Sequence, residues 1–547
     1  MKHINSTKLS VTLVSLATLF LLALPIPSQS AVQPEQQLLI DSYLTLARNY
    51  QEKKDFKTAL IYLKEAALIN PEDVEIASFA SDLLGSLQIY CEDDINFSKV
   101  SAADVTHIPA IEPTLPDTYM SIADALRENQ HHETAALYLR EALQLRPNNI
   151  TLMFDLANTL NMANYNDESL YLYCQLLTKC PTNKTILYNT AYTFKKIGRM
   201  DDAMLFYNAA LEQDPEYPEA RFSRGLAYLV MGDFEKGWPE YEWRWKRPGY
   251  PPMRPLTEPL VDPNVDLNGK LVYLYSEQGL GDTFEFIRYA RVMKQRGARV
   301  VVSVQNPLVT ILSLCPYIDR VIALNQQPVK FDYQAPLMSL PYLLGTTIKT
   351  VPTDIPYLYA SQPLVAEWKE KLSTEKRFKV GICWQGNANY RTAALRSVVA
   401  AKAVPAKKFE KLLEVPNIKL YSLQKETGLD QESQLSPEIY VFSGDFDDSH
   451  GRFMDTAAVL ENLDLFITVD TSMGHLAAGL GLPVWVFIPN PPDWRWLMDT
   501  PDTPWYPNMR LFRQTTPGDW DSVMETVKEE LCKVVEQFMK NNVQNSR

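Results

Sequence analysis

Apolar and small residues recur with helical spacing through the first half of the chain, and the pattern repeats every 34 residues. Prolines mark this period at Pro147, Pro181 and Pro215, and a fixed period of this length is typical of a repeat array. Counting back from each proline, matching positions hold small residues, which let two antiparallel helices approach closely: Ala123, Ala135 and Ala142, then Ala157 and Ser169, then Ala191, Ala203 and Ala210. The pattern predicts stacked helical hairpins.

These positions closely resemble those of tetratricopeptide (TPR) repeats. A further unit ends at Pro71, and a last one runs from Pro218 to about Trp245. We expect repeats over 32–245, with an irregular insert at about 92–115, wound into an α-superhelix. Such a superhelix has a concave face, which we expect to bind a protein partner or an acceptor, or to stabilise a neighbouring domain.

The hydrophobic pattern changes after a proline-rich linker at 246–268, where closely spaced prolines exclude regular helix and central strand. From there on, short apolar runs alternate with amphipathic stretches, which is typical of parallel sheets covered by helices. One series of runs lies in 269–350 and a second in 379–537, joined by a connection at 351–378. The predicted fold class is therefore α followed by α/β, with two doubly wound, Rossmann-type domains that form a cleft at their strand ends.

The first 31 residues have the layout of a targeting segment. Basic residues precede an apolar run from Leu9 to Pro25, and small residues lead up to Ala31, as in a signal peptide. The run is long for a signal peptide and short for a comfortable membrane span, so an uncleaved signal anchor is the alternative. Both interpretations predict an exported or membrane-associated protein, and neither fixes the side of the membrane.

Charge and cysteine content narrow the classes of partner. A net charge of −13, from 66 acidic and 53 basic residues, disfavours nucleic acids. The six cysteines are dispersed and form no CxxC pair, so they are expected to be small apolar residues rather than a disulfide framework. Asp445-Phe446-Asp447 has the spacing of a DxD metal motif, but it lies in an acidic stretch that predicts a solvated loop. We expect neither a metal nor a cofactor.

Candidate chemistry follows the first predicted strand, in the turn that contains Gly279, Gly281 and Asp282. The glycines permit a tight turn and a close approach of a ligand to the backbone. Two roles are open for Asp282. It caps a helix in a box with Glu285, or it is a general base that accepts a proton from an acceptor hydroxyl.

The second domain offers two segments that suit a diphosphate. The turn after Val469 is expected to aim free amides and a helix dipole at an anion, although capping by Asp470 and packing of His475 are alternatives. Arginines in a polar loop would add bidentate hydrogen bonds, with a solvated loop and a core Trp384 as the alternatives. The candidate donor-binding residues are Trp384, Gln385, Gly386, Asn387, Arg391, Arg396, Asp470, Thr471, Ser472, Met473, Gly474 and His475.

The segments GLGDT, KVGICWQGN and DTAAVLENLDLFITVDTSMGHLAAGLGLPVW resemble bacterial TPR proteins that carry a heptosyltransferase-like glycosyltransferase domain of GT-B fold. The resemblance spans roughly 265–535. It implies a nucleotide-sugar donor held by the second domain, a glycan or protein acceptor held by the first, and an inverting, metal-independent transfer to a hydroxyl. It also implies that Asp282 is the base, that Thr471 to Gly474 bind phosphate, and that Asp470 and His475 orient this turn.

The sequence departs from the family pattern in the segment that carries the basic residues. Val399 to Ala403 form an apparent insertion between Arg396-Ser397-Val398 and Val404-Pro405, which puts Arg391, Arg396 and Lys402 in question as diphosphate ligands. The alternative function is a TPR adaptor whose glycosyltransferase-like domain is inactive. Sugar, nucleotide, acceptor and oligomeric state are not predicted.

Overall fold

The computed structural model describes residues 115–326, 330–387, 393–442 and 444–545. It also describes five isolated positions nearer the start, namely Leu44, Ala47, Arg48, Ala66 and Phe79. The predicted targeting segment lies outside the described residues, as does almost all of the predicted insert. Residues from Tyr119 onward belong to one unit, and the architecture below is that of this unit together with the helix that leads into it.

Consecutive antiparallel helices form the repeat region, as predicted. They are α1 (Leu115–Glu128), α2 (His132–Leu145), α3 (Ile150–Met162), α4 (Asn166–Lys179), α5 (Lys184–Lys196), α6 (Met200–Gln213), α7 (Pro218–Val230) and α8 (Phe234–Tyr241), followed by a 3₁₀ turn at Glu242–Lys246.

Small side chains let these helices pack closely. The alanines and the serine that mark the repeat are all fully buried. Gly225 in α7 shows a close approach to backbone, because a Cβ there would lie 2.9 Å from the carbonyl carbon of Glu240. Asn149 and Asn183 begin α3 and α5, and their side chains accept hydrogen bonds from first-turn amides, as N-caps do.

The first α/β domain contains a four-stranded parallel sheet in the order β3-β2-β1-β4. Its strands are β1 (Leu271–Tyr275), β2 (Arg299–Val304), β3 (Arg320–Ala323) and β4 (Tyr333–Pro336). The helices are α9 (Leu280–Phe286), α10 (Arg288–Gln295), α11 (Val309–Leu312) and α12 (Leu340–Leu343).

The second α/β domain contains a six-stranded parallel sheet in the order β10-β9-β8-β5-β6-β7. The strands are β5 (Phe378–Cys383), β6 (Ile418–Ser422), β7 (Tyr440–Val441), β8 (Leu465–Val469), β9 (Val484–Ile488) and β10 (Met509–Arg513). Its helices are α14 (Ala393–Lys402), α15 (Met454–Leu460), α16 (Ser472–Leu480) and α17 (Trp520–Asn545), and α13 (Gln362–Lys371) leads into the domain.

The structure confirms the α then α/β architecture and revises several element boundaries. The pattern of apolar residues predicts one helix around 283–296 and a strand over Tyr333–Leu340. The structure instead has two helices, α9 and α10, and its strand β4 ends at Pro336 in a 3₁₀ turn. The periodicity of side chains predicts that an element exists, whereas its ends depend on backbone hydrogen bonds that the pattern does not show.

A single hydrophobic core connects the repeats with the first sheet and one face of the second. Trp238 of α8, Val272 of β1 and Leu476 of α16 belong to the same buried cluster. Between 247 and 270 the described chain forms neither helix nor strand, only an isolated bridge from Leu260 to Gln334. The proline-rich segment is therefore an irregular connection between the repeats and the first sheet, and its buried residues Val261 and Leu267 belong to the shared core.

Candidate functional site

The predicted site segments follow strands at which the order of each sheet reverses. In the first sheet β1 lies between β2 and β4, and in the second sheet β5 lies between β6 and β8. Helices leave such a pair of strands in opposite directions, which opens a crevice at their carboxyl ends. The segments after β1, β5 and β8 all leave from these points.

Two of these segments touch each other across the domains. A Cβ added at Gly281 would lie 3.1 Å from Cδ2 of His475 and 3.4 Å from Cα of Ser472. Helix α9 packs against α16. The glycine turn of the first domain therefore lies directly on the start of the helix that the sequence predicts to bind phosphate.

The start of α16 presents amide groups that have no protein partner among the described residues. Thr471 is the N-cap, its backbone is extended, and its side chain makes no capping hydrogen bond to the helix. The Thr471 hydroxyl lies 3.2 Å from that of Thr468. The N–H groups of Ser472 and Met473 are first-turn donors, and no described residue accepts a hydrogen bond from them.

Asp470 precedes this helix start without capping it. Its carboxylate accepts a hydrogen bond of 2.5 Å from Nζ of Lys402, at the end of α14. Burial alone would raise the pKa of Asp470, but the Lys402 ammonium outweighs burial and lowers this pKa to about 2. Lys402 is thus paired with Asp470. The N-cap is Thr471, so the alternative in which Asp470 caps the helix is wrong.

His475 is a buried, neutral residue within the same cluster. Burial lowers the pKa of its imidazole to about 3. Its Nδ1 lies 2.8 Å from the hydroxyl of Tyr506, and its ring stacks on Trp496 at 5.6 Å between centroids. These contacts orient the first turn of α16 against the segment that follows β9.

Asp282 has both of its carboxylate oxygens engaged. One accepts the N–H of Gly279 at 2.6 Å, and the other accepts a hydrogen bond from Arg495. Asp282 is the third residue of α9, and its side chain accepts from the N-cap Gly279. Asp282 therefore does cap its helix, although from within the first turn and not in a box with Glu285. Burial raises the pKa of Asp282, and Arg495 acts against this rise. Its side chain keeps 21% of its exposure.

Arg495 is the central cation of the site, and the sequence analysis did not single it out. Its guanidinium also binds Glu285 at 2.5 Å and Asp493 at 2.9 Å. The plane of Trp494 lies beneath it, 4.3 Å from the guanidinium carbon to the ring centroid. One arginine from the second domain thus holds two carboxylates of the first domain. Only its position in a tryptophan-rich segment could have drawn attention to it.

The segment after β5 contributes less than expected. Trp384 is fully buried in the core of the second sheet, and its indole N–H donates to the carbonyl of Gly428 at 3.3 Å. The side chain of Trp384 is therefore part of the core, and the prediction that it contacts the donor is wrong. Gly386, in contrast, lies beside Thr471, since a Cβ there would be 3.6 Å from the threonine methyl.

The remaining predicted residues of this segment lie further from the helix start or outside the description. The Gln385 amide oxygen accepts from Gln431 at 3.2 Å, and Asn387 accepts from Thr427 at 3.4 Å. Arg391 lies outside the described residues. Arg396 lies within α14, but its side chain is not described.

The repeats hold the turn that leads to Asp282. Arg244, which is fully buried after α8, forms an ion pair of 2.9 Å with Glu277. The amide of Gln278 donates to the hydroxyls of Tyr241 and Tyr250. Burial raises the pKa of Glu277 to about 7 despite Arg244. The end of the repeat region therefore holds the turn that leads to Asp282 in place.

Two further expectations concern metal and membrane binding. Asp447 of the DxD segment is buried and accepts hydrogen bonds from Thr456, so it stabilises its loop and is not solvated as expected. Within the described ranges, no cluster of three potential metal-ligating side chains occurs. None of the helices in the described part of the chain combines the length and the apolar character that crossing a bilayer requires.

Comparisons with known proteins identify the repeats. A tetratricopeptide-repeat model matches residues 40–73 and 116–149, and a TPR-repeat model matches residues 191–232. Protein FlbA of Caulobacter vibrioides is 24% identical over 520 residues, which cover 88% of this chain and 82% of FlbA.

Solved structures resemble each half of the chain at low identity. A glycosyl transferase family 9 structure from Veillonella parvula DSM 2008 is 13% identical with a TM-score of 0.38, and the match covers 51% of this chain and 99% of that one. A MamA structure from Desulfovibrio magneticus RS-1 is 14% identical with a TM-score of 0.24, over 39% of this chain and 94% of MamA. Because both TM-scores are low, the fold assignment depends on the helices and sheets of the chain itself.

Proposed function

The chain carries tetratricopeptide repeats followed by two parallel α/β domains, and from this premise we propose that it is a glycosyltransferase. It transfers a sugar from a nucleotide-sugar donor to a hydroxyl of a glycan or protein acceptor. The transfer is inverting and needs no metal. The repeats bind the acceptor or a protein partner, and the amino-terminal segment directs the chain to or across a membrane.

One observation carries the proposal. The first turn of α9, with Asp282, meets the start of α16 at the switch points of the two sheets, with Gly281 against Ser472. A helix start with free amides suits a diphosphate, and a carboxylate next to it suits proton removal from an attacking hydroxyl.

In this proposal the acceptor hydroxyl loses its proton to Asp282 as its oxygen attacks the anomeric carbon. The bond from that carbon to the diphosphate breaks on the opposite side, which inverts the configuration. The amides of Ser472 and Met473 stabilise the departing negative charge. Thr471 and Gly474 shape the turn, and His475 and the Asp470–Lys402 pair hold it in place.

A TPR adaptor with an inactive α/β body is the second candidate, and the charge of the site favours it. Four carboxylates, those of Asp282, Glu285, Asp470 and Asp493, share the cations Arg495 and Lys402. A doubly negative diphosphate would enter against this excess. The predicted export signal also favours the adaptor, because bacterial nucleotide sugars are ordinarily cytosolic.

A thermal-shift panel of nucleoside diphosphates separates the two candidates. An enzyme is stabilised by its cognate nucleotide because that ligand binds the folded state alone. An adaptor shows no shift with any member of the panel. In Gly281→Leu the added side chain would enter the space next to Ser472. If this variant abolishes the thermal shift, the nucleotide binds at the start of α16.

Replacement of the proposed base gives the first prediction. Asp282→Asn keeps the shape of the residue but removes its basicity, so turnover falls by about 10²–10⁴-fold while the donor still binds. Initial rates and the donor-induced thermal shift measure the two effects separately. Turnover equal to that of the wild type would exclude Asp282 as the base.

A further inference from the structure

Glu285 is a fully buried carboxylate that the proposed transfer does not use. It lies one helical turn after Asp282 on α9, and its side chain has no exposure to solvent. One of its oxygens accepts from Nε of Arg495 at 2.5 Å. The other oxygen is buried and has no hydrogen-bond partner among the residues that the structure describes. An ionised carboxylate with an unpartnered oxygen is costly to bury.

The same guanidinium reaches Asp282 through a different nitrogen. Arg495 donates to Glu285 from Nε and to Asp282 from a terminal nitrogen. Two carboxylates that share one arginine compete for its charge. Arg495 also pairs with Asp493. When Glu285 is protonated, the charge of Arg495 is shared by Asp282 and Asp493, and when Glu285 is ionised, it is shared by all three carboxylates.

We propose that Glu285 is a positioning residue for Asp282, because its charge determines how firmly their shared Arg495 holds the proposed base. This inference rests on the proposed function, in which Asp282 accepts a proton. With Glu285 ionised, Asp282 is held less firmly and is more basic. With Glu285 neutral, Arg495 retains Asp282 and the reaction is slow.

The surroundings of Glu285 bring the pKa of its carboxyl group close to neutral pH. Burial raises the pKa of Glu285 to about 7, while Arg495 and then Arg288 act in the opposite direction. The negative charge of Asp282, on the same helix, also raises the pKa of Glu285. The other groups that interact with Glu285 are Tyr289 on α10, Tyr357 on the connection between the domains and Tyr506 near β10.

Glu285→Gln tests the proposal, because the amide keeps the size of the side chain and cannot ionise. Between about pH 6 and pH 8 the wild-type rate rises about tenfold, as ionisation of one group near pH 7 requires. In Glu285→Gln the rate stays close to the low wild-type value across this range. A rise of wild-type size in the variant would overturn the proposal.

Glu277→Gln is the matched control. Glu277 is a second buried glutamate of the first domain, its pKa is also raised to about 7, and it is also paired with a buried arginine. The charge of Asp282 also acts on Glu277, but the partner of Glu277 is Arg244, so Glu277 does not share Arg495 with Asp282. The variant therefore keeps the rise in rate between pH 6 and pH 8. Loss of the rise in this control alone would assign the ionisation to Glu277 and overturn the proposal.

A denaturation experiment measures the coupling without any enzymatic activity. In the wild-type background, Asp282→Asn lowers the midpoint of urea unfolding more at about pH 6, where Glu285 is neutral and Arg495 is shared by one carboxylate fewer, than at about pH 8. In the Glu285→Gln background the effect is the same at both pH values. An equal effect in the wild type would overturn the coupling, whereas coupling without transfer from any nucleotide sugar would contradict only the proposed function.

Discussion

Charged side chains lie in the interior of this molecule, and at the scale of the residue each one depends on its partner. Lys402 and Asp470 form one such pair, and Arg495 with its three carboxylates forms another. Removing one member of a buried pair leaves the other desolvated, which costs more than the pair contributes to stability. These residues are therefore sensitive to substitution even where they do not contact substrate.

Lys402→Met isolates the first of these pairs. The variant leaves the Asp470 carboxylate buried beside the start of α16, so the free energy of unfolding falls by about 2–4 kcal/mol. Urea denaturation at neutral pH measures the change. Lys408→Met is the control, because Lys408 pairs with Asp521 at the surface, where a pair contributes less than about 1 kcal/mol. Equal losses in the two variants would show that Lys402 is not a buried partner.

His475 predicts a dependence of stability on pH. Its pKa is about 3 in the folded state and about 6.5 in the unfolded state, so the unfolded state binds more protons between these values. Stability due to the neutral imidazole is complete above about pH 6.5 and falls by up to about 1.4 kcal/mol per unit as the pH decreases.

His475→Gln removes this dependence, which the free energy of unfolding at pH 7, 6 and 5 measures against the wild type. His450 is the control, because its pairing with Asp455 raises its pKa. The stability that His450 contributes is instead present below its unfolded pKa and is lost as the pH rises through its folded pKa. An unchanged acid limb in His475→Gln would contradict the buried neutral state.

At the scale of the element, small residues determine how closely helices approach. Gly225 lets α7 lie against the backbone of α8, and Gly281 lets the first turn of α9 lie against α16. The first contact stabilises the repeat next to the α/β body, and the second brings the two halves of the candidate site together. Backbone contacts of this kind cannot be relieved by a change of rotamer.

Gly225→Ala tests the repeat contact. The added methyl would lie 2.9 Å from the carbonyl carbon of Glu240, so α7 and α8 separate and stability falls by about 1–3 kcal/mol. This loss exceeds the gain in helix propensity that alanine brings. Gly386→Ala is the control for urea denaturation, since its methyl meets Thr471 at an ordinary 3.6 Å. A stabilised Gly225→Ala variant would contradict the close approach.

At the scale of the whole molecule, the described repeats and the two α/β domains share one core. Trp238 of α8 is buried against Trp494 and Trp505 of the second domain, with ring centroids 5.4 and 6.2 Å away. Its indole N–H donates to the carbonyl of Thr346 in the first domain at 3.0 Å. The repeats are therefore part of the structure that positions Arg495.

Trp238→Ala tests this shared core. The cavity lowers the free energy of unfolding by about 3–5 kcal/mol, and helix content and tryptophan fluorescence are lost at the same denaturant concentration because the parts unfold together. Trp243→Ala is the control, since Trp243 contacts Arg221 and Lys246 through cation–π interactions of about 1 kcal/mol. Separate transitions in the wild type would contradict the shared core.

Periodicity along the chain is sufficient to predict the helical repeats and the strands that precede the site segments. The 34-residue spacing of the prolines and the buried alanines predicts the helix pairs, and the apolar runs predict both parallel sheets. These are local properties, because a side chain one turn or one strand position away shares its face with the next. The segments after β1, β5 and β8 are predicted for the same reason.

Contacts between residues that are distant in the chain could be identified only from the folded structure. Arg495 meets Asp282 across more than two hundred residues, and no spacing rule relates two such positions. The core role of Trp384, the pairing of Lys402 with Asp470 and the buried state of Glu285 also follow from packing between elements. Local patterns thus determine which elements form, whereas desolvation and the geometry of contacts between them determine which charges face each other.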